Sequence, residues 1–539
     1  MTLSLRQANI LIIDDFQGMR TMLREFLKSM GVTAIDTASN GKDALHQLSI
    51  TRFDIVICDY NLGPGANGQQ VLEEAKIKNY VGVSTVWVMV TAEKTPEMVM
   101  GAAEVRPDDY LLKPINQSLL EARLEKLIAR KQSLAPIEAS VKALNYAEAI
   151  AQCDHQLKAK AINPQEILRV KSDLLLAMGD YVGATALFES VLATRDVPWA
   201  LTGMGKVYFH DKKYAEAKEV FQRVLRENEV YMEASDWLAK TCAIMGQHEE
   251  AQKVLLDAVK LSPNSPTRQK FLGDTAYKNG SLEVAQAAFE KTIRIGEFSP
   301  HKTPAAYTAL AKVFSDQGSP IDALKTLQQS KKEFRYNTEA AIQTAAAEGV
   351  VYQKLGQADK AEAAMQEAER LIEKAAGKLG AEVAIDVADS LFKLGRKEKA
   401  SGLLQEVVRN NHENAELSKS IEALFEDHGM EAEGQALIAE SRGEVVTINN
   451  QGVTLAKHGD LLGGANLLRT AAEKLPHNEV ILINLCGLLI GMLSKEGKSH
   501  QVASEVRELL DRVRQINPAN KNYHIYTAAL NRIMNGPGG

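Results

Sequence analysis

Short apolar runs alternate with amphipathic stretches through the first quarter of the chain. A continuous apolar run rich in β-branched residues is typical of a strand that is buried on both faces of a parallel sheet. Apolar residues at helical spacing predict helices between these runs. The predicted strands are 9–14, 34–38, 54–58, 85–90 and 109–112, and the predicted helices are 17–30, 42–48, 69–78, 96–104 and 118–129. Five such alternating units predict a doubly wound α/β fold whose parallel sheet has strand order 2-1-3-4-5.

A different pattern begins near residue 140, where the chain becomes rich in Ala and Leu at helical spacing. Glycines mark the predicted turns, an Ala follows each Gly by five residues, and a small residue precedes each Gly by seven. The Gly/Ala anchors are Gly179/Ala184, Gly246/Ala251, Gly280/Ala285, Gly318/Ala323, Gly356/Ala361 and Gly395/Ala400. The pairs Lys212/Ala217 and Gly459/Gly464 keep this spacing with one anchor replaced.

Helical hairpins explain the spacing. Antiparallel helices approach closely only where both carry small side chains, and Gly caps the first helix in a left-handed conformation. A large apolar residue lies four positions after each Ala, for example Phe188 and Phe221, and we expect it to fill the groove to the next hairpin. Ala217, Ala251 and Ala285 are 34 residues apart, and the pattern resembles tetratricopeptide repeats. The resemblance implies eight or more repeats in an all-α superhelical solenoid that binds peptides or proteins.

Polar residues directly follow four of the five predicted strands. Asp14 ends the first predicted strand and Asp15 follows it, Asp59 follows the third, Thr91 the fourth, and Lys113 the fifth. Because the carboxyl ends of parallel strands meet at one edge of a sheet, these side chains should converge in one crevice. Three carboxylates in one crevice repel each other unless a hard cation lies among them, and Mg²⁺ accepts such oxygen ligands.

An acid pair, a lone Asp, a Thr and a Lys-Pro pair, in this order at strand ends, resemble the receiver domain of two-component response regulators over about residues 7–131. The resemblance implies that Asp59 accepts a phosphoryl group from a histidine kinase or phosphotransfer protein. It also implies that Asp14, Asp15, Asp59 and the backbone carbonyl of Asn61 hold Mg²⁺, which neutralises phosphoryl charge.

The same resemblance assigns roles to the residues around the crevice. Lys113 supplies a cation, and Pro114 matches a cis-proline that aims it. Thr91 can hydrogen-bond a phosphate oxygen, and Tyr110 matches a switch aromatic that moves inward with that Thr. The alternative for Tyr110 is an ordinary strand aromatic. Asn61 and Glu93 lie where family members tune hydrolysis, which predicts a short-lived phosphoryl state.

Two departures from the family pattern affect surfaces. The loop 59–68 is about one residue longer and richer in glycine than in many receivers, which leaves its conformation open. Arg106 and Pro107 stand where Gly-Ala is commoner, on the face that receivers often use to dimerise. A homodimer through the receiver is therefore an open expectation.

The patterns divide the chain into four segments. They are a receiver at 1–131, a helical linker and N-terminal cap at 132–160, repeats with a capping helix at 161–535, and a frayed tail at 536–539. Pro136 interrupts the linker, which we expect to be short and stiff. Residues 411–442 fit the repeat poorly and are interpreted as a degenerate repeat. The stretch 494–515 carries extra turn residues before the last helix.

Composition narrows the function classes. At 539 residues the chain needs several domains, and its net charge of −6 argues against nucleic acid as the main partner. The four cysteines are widely spaced, which indicates reduced thiols in a cytoplasmic protein. Neither a secretion signal nor a membrane-spanning run is predicted.

The groove of the repeats offers weaker clues. Lys206, Lys240 and Lys312 share one repeat position, with Phe209 and Tyr277 nearby. They favour an acidic partner segment, although solvated lysines are the simpler explanation. The leading hypothesis is an adaptor, not an enzyme beyond its own aspartyl phosphotransfer and autodephosphorylation, whose phosphorylation switches protein binding. The alternatives are a phosphate sink or constitutive scaffold, and a transcriptional regulator that acts through protein contacts.

Overall fold

The computed structural model describes residues 4–92, 101, 104–159, 163–375, 379–497, 499–518 and 520–535. The chain divides into two compact units, Met1–Ala306 and Tyr307–Gly539. The first unit contains a parallel sheet followed by helical hairpins, and the second unit is helical throughout its described part. No helix in the described ranges is both long enough and apolar enough to cross a membrane.

The predicted sheet is confirmed. Its parallel strands run in the order β2-β1-β3-β4-β5. The strands are β1 (Asn9–Ile13), β2 (Ala34–Ala38), β3 (Ile55–Asp59), β4 (Val86–Thr91) and β5 (Asp109–Leu112). The register pairs Ile13 with Cys58 and Asp59 with Val90, so the strand ends that carry the polar residues lie side by side.

Alternate residues of the central strands supply two cores, one on each face of the sheet. Ile10 and Ile12 pack into one core, whereas Leu11 and Ile13 pack into the other. This alternation is why the strands are apolar throughout. The described helices around the sheet are Gln17–Ser29, Gly41–Ile50, Gly68–Ile77 and Gln117–Lys131. The predicted helix 96–104 lies largely outside the described residues.

The joint after the sheet is continuous helical backbone. A 3₁₀ turn, Gln132–Leu134, connects Gln117–Lys131 to the helix Ala135–Lys142. Pro136 lies in the first turn of that helix, where a missing N–H leaves no intrahelical bond unmade. The expected interruption at Pro136 is therefore wrong, because a proline at this position starts a helix without breaking it.

Five helical hairpins follow in the described part of the first unit. Their helices are Ala135–Lys142 with Tyr146–Lys158, Pro164–Ala177 with Tyr181–Leu192, Pro198–His210 with Tyr214–Glu227, Met232–Ile244 with His248–Leu261, and Pro266–Lys278 with Leu282–Gly296. The turn residues Gly179, Gly246 and Gly280 all have positive φ, as the cap argument predicts. Lys212 occupies the same position with φ 62° despite its side chain. Leu144 does so too, which identifies the N-terminal cap as a hairpin of the same kind.

Large side chains pack against small ones at the predicted positions. A Cβ added to Gly205 would lie 2.5 Å from Phe221 Cε1, so the ring of Phe221 uses the space that Gly205 leaves within its own hairpin. The ring of Phe188 lies against Gly203 of the following hairpin. The large residues thus fill the groove to the next hairpin, as predicted, and also the space beside the small residue of their own hairpin.

The second unit continues the hairpins with larger variations in helix length. Its helices are Pro304–Asp316 (which begins in the first unit), Pro320–Glu333, Thr338–Lys354, Ala358–Ala375, Ala381–Lys393, Lys397–Asn410, Ala415–Asp427, Glu431–Lys457, Leu461–Lys474, Glu479–Glu496, His500–Ile516 and Lys521–Asn535. The degenerate repeat 411–442 forms a hairpin with a left-handed turn at Gly429. Its second helix, Glu431–Lys457, runs unbroken into the following hairpin. The described part of the stretch 494–515 is mostly helix, and Gly497, which follows the helix Glu479–Glu496, has φ 95°. The tail 536–539 lies outside the described residues.

Candidate functional site

Three carboxylates meet at the carboxyl edge of the sheet. Asp14 and Asp15 directly follow β1, and Asp59 is the last residue of β3. Each offers one carboxylate oxygen within 4.8 Å of the others. Asp14 and Asp59 are buried, whereas Asp15 is exposed at the mouth of the crevice. The strand register therefore brings together the acids that the sequence placed at two separate strand ends.

Lys113 neutralises part of this negative charge. Its Nζ lies 2.7 Å from Asp59 Oδ2 and 3.0 Å from Asp14 Oδ2. The Lys113–Pro114 peptide bond is cis, and the Lys113 amide donates to the Thr91 carbonyl oxygen over 2.9 Å. This backbone hydrogen bond joins the ends of β4 and β5, and it holds the main chain of Lys113 in place beside the crevice.

For both Asp59 and Lys113, burial shifts the pKa in one direction and the oppositely charged neighbours shift it in the other. Burial raises the pKa of Asp59, and the charge of Asp14 raises it further, although Lys113 and the backbone N–H of Asn61 lower it. Burial lowers the pKa of Lys113, but its hydrogen bonds to the two carboxylates outweigh burial and leave the pKa raised. Burial, with the nearby carboxylates, also raises the pKa of Cys58, which keeps that thiol protonated.

The donor set fits a hard divalent cation. The clustered ligands are carboxylate oxygens, as Mg²⁺ prefers, and no sulfur or imidazole ligand takes part in the cluster found among the described residues. Asp14 Oδ1 accepts the Phe16 amide over 2.8 Å, and Arg20 donates to the backbone carbonyl oxygens of Asp14 and Asp15. These contacts hold the backbone of the acid pair and one oxygen of Asp14 in place, whereas the Asp15 carboxylate stays exposed.

The remaining receiver residues surround the crevice. Thr91 ends β4 and is 4% exposed. The ring of Tyr110 packs against the core that contains Tyr60 and Cys58, and its hydroxyl is buried without a hydrogen-bond partner among the described residues. Burial accordingly raises the pKa of Tyr110. Tyr110 is half-buried, and it also borders the cavity described below.

The loop after β3 is shaped by left-handed glycines. Gly63 and Gly65 have φ of +72° and +113°, so the extra glycines of this loop have a conformational role. The Asn61 side chain is exposed and accepts the Gly63 amide over 3.2 Å. Glu93, the second residue predicted to tune hydrolysis, lies outside the described residues.

The residues predicted for the repeat groove fall into two separate places. Lys206 and Lys240 both lie over the ring of Trp237, at 5.5 and 5.2 Å from its centroid, and Lys240 also lies over Phe209. Lys206 Nζ is 2.5 Å from Glu233 Oε1. Tyr277 is half-buried on the helix Pro266–Lys278.

Lys312 belongs to the second unit and is held by two acids. It pairs with Asp386, and its Nζ lies 3.0 Å from Asp389 Oδ2. Its side chain is 18% exposed, so it is not a solvated surface lysine. The shared repeat position of the three lysines therefore leads to different local partners.

Sequence reasoning missed the residues that join the receiver to the repeats. Among them are Glu104, Arg106, Glu138, Glu233 and Arg268, which form ion pairs between segments far apart in the chain. Only Arg106 gave a signal, as a departure from the receiver pattern. The others are ordinary charged residues on amphipathic helices, and their partners depend on how the helices pack.

Comparison with known proteins identifies both parts of the chain. The family "Response regulator receiver domain" matches residues 10–125, and "Tetratricopeptide repeat" families match residues 175–234 and 245–300. Chemotaxis protein CheY of Pseudomonas aeruginosa is 32% identical over 121 residues, which are 22% of this chain and 96% of that protein. CheY-3 of Vibrio cholerae is 31% identical over 125 residues, 23% of this chain and 95% of that protein.

Solved structures resemble one part of the chain or the other. The crystal structure of MamA is 20% identical with a TM-score of 0.29, and the match covers 32% of this chain and 95% of MamA. CheY4 of Vibrio cholerae is 28% identical with a TM-score of 0.21, over 22% of this chain and 98% of CheY4. The matched sequence families, the sheet order and the acidic crevice agree, and the chain belongs to the response regulators, with a receiver domain followed by tetratricopeptide repeats.

Proposed function

We propose that Asp59 accepts a phosphoryl group from a histidine kinase or phosphotransfer protein, and that this event changes which protein the repeats bind. The observation that carries the proposal is the Asp59 carboxylate, which is buried at 7% exposure, 2.7 Å from Lys113 Nζ and within the three-carboxylate cluster. A carboxylate in that setting has a cation beside it to neutralise the charge that phosphorylation brings.

The chemistry is self-directed. An Asp59 carboxylate oxygen attacks the phosphorus of a phosphohistidine, the P–O bond forms, and the P–N bond breaks with its electron pair on the imidazole nitrogen. Lys113 keeps its positive charge beside the new phosphoryl oxygens. When bound by Asp14, Asp15 and Asp59, with the Asn61 carbonyl, Mg²⁺ would neutralise further phosphoryl charge. Water later attacks the phosphorus and restores the carboxylate, so on this proposal the chain acts on no other substrate.

The repeats supply the output. Helical hairpins of this kind present a groove rather than a reactive site, and such grooves bind extended or helical segments of other proteins. Within the described residues, the only metal-type cluster of acids, cysteines and histidines is the one in the receiver. We therefore place the output in protein binding, in the cytoplasm where histidine kinases deliver phosphoryl groups.

Labelling with radioactive acetyl phosphate tests the phosphorylation site. The full chain should incorporate one phosphoryl group in the presence of Mg²⁺, and chelation of Mg²⁺ should reduce incorporation. Asp59→Asn should remain unlabelled. Asp36→Asn is the matched control, because Asp36 is an exposed acid on the edge strand of the same domain. Label that persists in Asp59→Asn, or is lost equally in Asp36→Asn, would refute the assignment.

A further inference from the structure

The receiver faces the inner side of its own repeats. Its helix Gly68–Ile77 and the segment 104–110 lie across a cavity of about 1840 Å³ from the repeat hairpins. The repeat wall, here called the inner surface, comes from the N-terminal parts of four first helices, namely Pro164–Ala177, Pro198–His210, Met232–Ile244 and Pro266–Lys278. First helices line the groove through which such repeats bind partners. The receiver therefore covers part of the groove that the output would use.

A buried arginine joins the two sides. Arg268 is 2% exposed, and its Nη1 and Nη2 lie 3.1 and 3.0 Å from the two carboxylate oxygens of Glu104 in the receiver. Its Nε and Nη2 lie 2.7 and 2.8 Å from the carboxylate oxygens of Asp236 in the repeats. Bidentate guanidinium–carboxylate pairs are strong and directional. Asp236 holds one edge of the guanidinium, so the other edge is already oriented to bind a second carboxylate. In this structure that second carboxylate is Glu104 of the receiver.

Arg106 forms a second contact two residues later. Its φ of 53° is the left-handed conformation that favours glycine, which matches the Gly expected at this point of a receiver. The side chain that glycine would lack reaches the repeats, with Nη2 2.6 Å from Glu233 Oε2. Lys76 donates to the carbonyl oxygens of Val105 and Arg106 over 2.7 and 2.9 Å. The receiver thus holds this backbone while its side chains extend to the inner surface.

Two contacts from the receiver helix Gly68–Ile77 add to the docking. Gln70 Nε2 donates to the Ile295 carbonyl oxygen over 3.1 Å, and Glu73 Oε1 lies 3.1 Å from His301 Nε2. Glu73 raises the pKa of His301, since the imidazolium gains a hydrogen bond and a charge partner. Four separate polar contacts therefore hold the same faces together.

We propose that the receiver closes the inner surface by docking Glu104 on Arg268 and Arg106 on Glu233, and that a partner binds the same surface by placing an acidic side chain on Arg268. The proposal rests on the phosphorylation of Asp59 and names the surface that it controls. The docking contact is defined as these two ion pairs. The face that receivers use for dimers is occupied here within one chain.

The docking contact is close to the switch. Asp108 lies between Arg106 and Tyr110, accepts the Trp87 amide over 2.8 Å, and pairs with Lys131 over 2.7 Å. Glu104, Arg106, Asp108 and Tyr110 all belong to the segment 104–110, which is continuous with β5. On this proposal, phosphorylation of Asp59 rearranges that segment and displaces Glu104 and Arg106. Because both pairs depend on placement to within a hydrogen-bond length, a small shift is enough to break them.

The three tryptophans of the chain provide a native probe, because Trp87, Trp199 and Trp237 all line the cavity. Acrylamide quenching of their fluorescence in the full chain measures how open the cavity is. The undocked variant is Glu104→Gln with Arg106→Gln, both on the receiver side, so the repeats keep their own ion pairs. Loss of the charged partner of a buried guanidinium should raise the undocked fraction on the order of 10²-fold. The matched control is Glu25→Gln with Lys28→Gln, two exposed residues of the helix Gln17–Ser29.

The expected pattern is specific. The undocked variant shows stronger quenching than the wild type and no further response to Mg²⁺ with beryllofluoride, a phosphoryl mimic. The wild type responds to beryllofluoride, Asp59→Asn does not, and the control variant behaves as the wild type. Equal quenching of undocked variant and wild type overturns the docking contact. A wild type that takes label on Asp59 but shows no change in quenching overturns the switch while leaving the phosphorylation site intact.

A peptide tests the chemistry of the partner. The heptapeptide 104–110, labelled with fluorescein, is titrated against the undocked variant and followed by anisotropy. It should bind more tightly than the same peptide with Glu104→Gln, and an added Arg268→Gln substitution in the protein should abolish the difference. Equal affinity of the two peptides, or no binding at millimolar concentration, overturns the acidic partner.

Discussion

Glu138 anchors the joint between the receiver and the repeats, and its replacement offers a quantitative test. The carboxylate is 1% exposed and accepts hydrogen bonds from the Ser84 amide at 2.7 Å and the Ser84 hydroxyl at 2.5 Å. It also pairs with Arg52 at 2.5 Å and Lys142 at 2.7 Å. Ser84 precedes β4, so this one side chain ties the helix Ala135–Lys142 to the base of the sheet.

The free energy of unfolding that Glu138 contributes depends on how exposed each of its binding partners is. Arg52 and Lys142 are 58% and 39% exposed and can be rehydrated, so each ion pair contributes about 0–1 kcal/mol. The two Ser84 hydrogen bonds to a charged acceptor contribute about 1.5–3 kcal/mol each. Glu138→Gln retains one acceptor oxygen and should lower the free energy of unfolding by about 2 kcal/mol. Glu138→Ala leaves the Ser84 amide unpaired and should cost about 3–5 kcal/mol.

The effect should depend on pH in one direction. The hydrogen bonds and charges around Glu138 outweigh its burial and lower its pKa from 4.5. A carboxylate with a lowered folded-state pKa contributes its full stability above the unfolded value, and loses that contribution as pH falls through the folded pKa. The difference between the wild type and Glu138→Gln should therefore be largest at neutral pH and shrink below pH 4.5.

Urea unfolding followed by circular dichroism, at neutral pH and below pH 4, measures this difference. Hydrogen exchange of the segment that contains Ser84 gives a local readout. Glu125→Gln is the control, because Glu125 is an exposed acid on the preceding helix, Gln117–Lys131. A Glu138→Gln penalty that stays the same across the pH range, or exchange at Ser84 that does not change, would refute the reasoning.

The other predictions concern the phosphoryl state and the repeat turns. The aspartyl phosphate should decay within minutes and last longer in Asn61→Ala, since Asn61 is exposed at the crevice mouth where water enters; label that stays for hours in the wild type excludes this. Gly205→Ala should destabilise by about 1–3 kcal/mol, because its Cβ would lie 2.5 Å from Phe221 Cε1. Gly402→Ala, where a Cβ meets nothing within 4 Å, should instead stabilise the protein by about 1 kcal/mol. Thermal denaturation of the two glycine variants measures this difference, and equal shifts in Tm for Gly205→Ala and Gly402→Ala would contradict the claim that Phe221 occupies the space beside Gly205. Lys212→Gly should stabilise by about 1 kcal/mol in urea unfolding, since φ 62° strains a residue with a Cβ, and a loss of stability would show that the lysine side chain outweighs the strain.

Local chemistry made much of this chain predictable. Ile10, Leu11, Ile12 and Ile13 are all apolar because the strand is buried on both faces of the sheet. This unbroken apolar run predicted both that the segment is a strand and that it lies inside a parallel sheet. The crevice followed, because parallel strands end at a common edge. Spacing alone placed Lys212 at a turn position in the absence of the usual glycine, and the structure shows that this lysine adopts the left-handed conformation of the glycines.

Long-range pairing was not predictable in the same way. Arg106 stood out only as an unusual residue, and its partner Glu233 lies in the fourth of the five helical hairpins of the first unit. Glu138 has the sequence character of an exposed linker residue, yet it is buried because Ser84 supplies two donors. Such contacts depend on how whole helices pack, and periodicity carries no information about that.

The helix Glu431–Lys457 has a consequence for how the array comes apart. It is 27 residues long, roughly 40 Å, and serves as the second helix of one hairpin and the first helix of the next. Arrays whose hairpins are joined by loops can lose terminal hairpins one at a time, because each boundary has its own interface energy. Here two consecutive hairpins share one helix, Glu431–Lys457. Unfolding that starts at the C-terminus therefore reaches a boundary where both hairpins must unfold together. A chain truncated after Lys457 should keep the long helix with an apolar face that its missing partner, Leu461–Lys474, would have covered. A chain truncated after Asp427 lacks the long helix altogether and should leave no such exposed face of that helix.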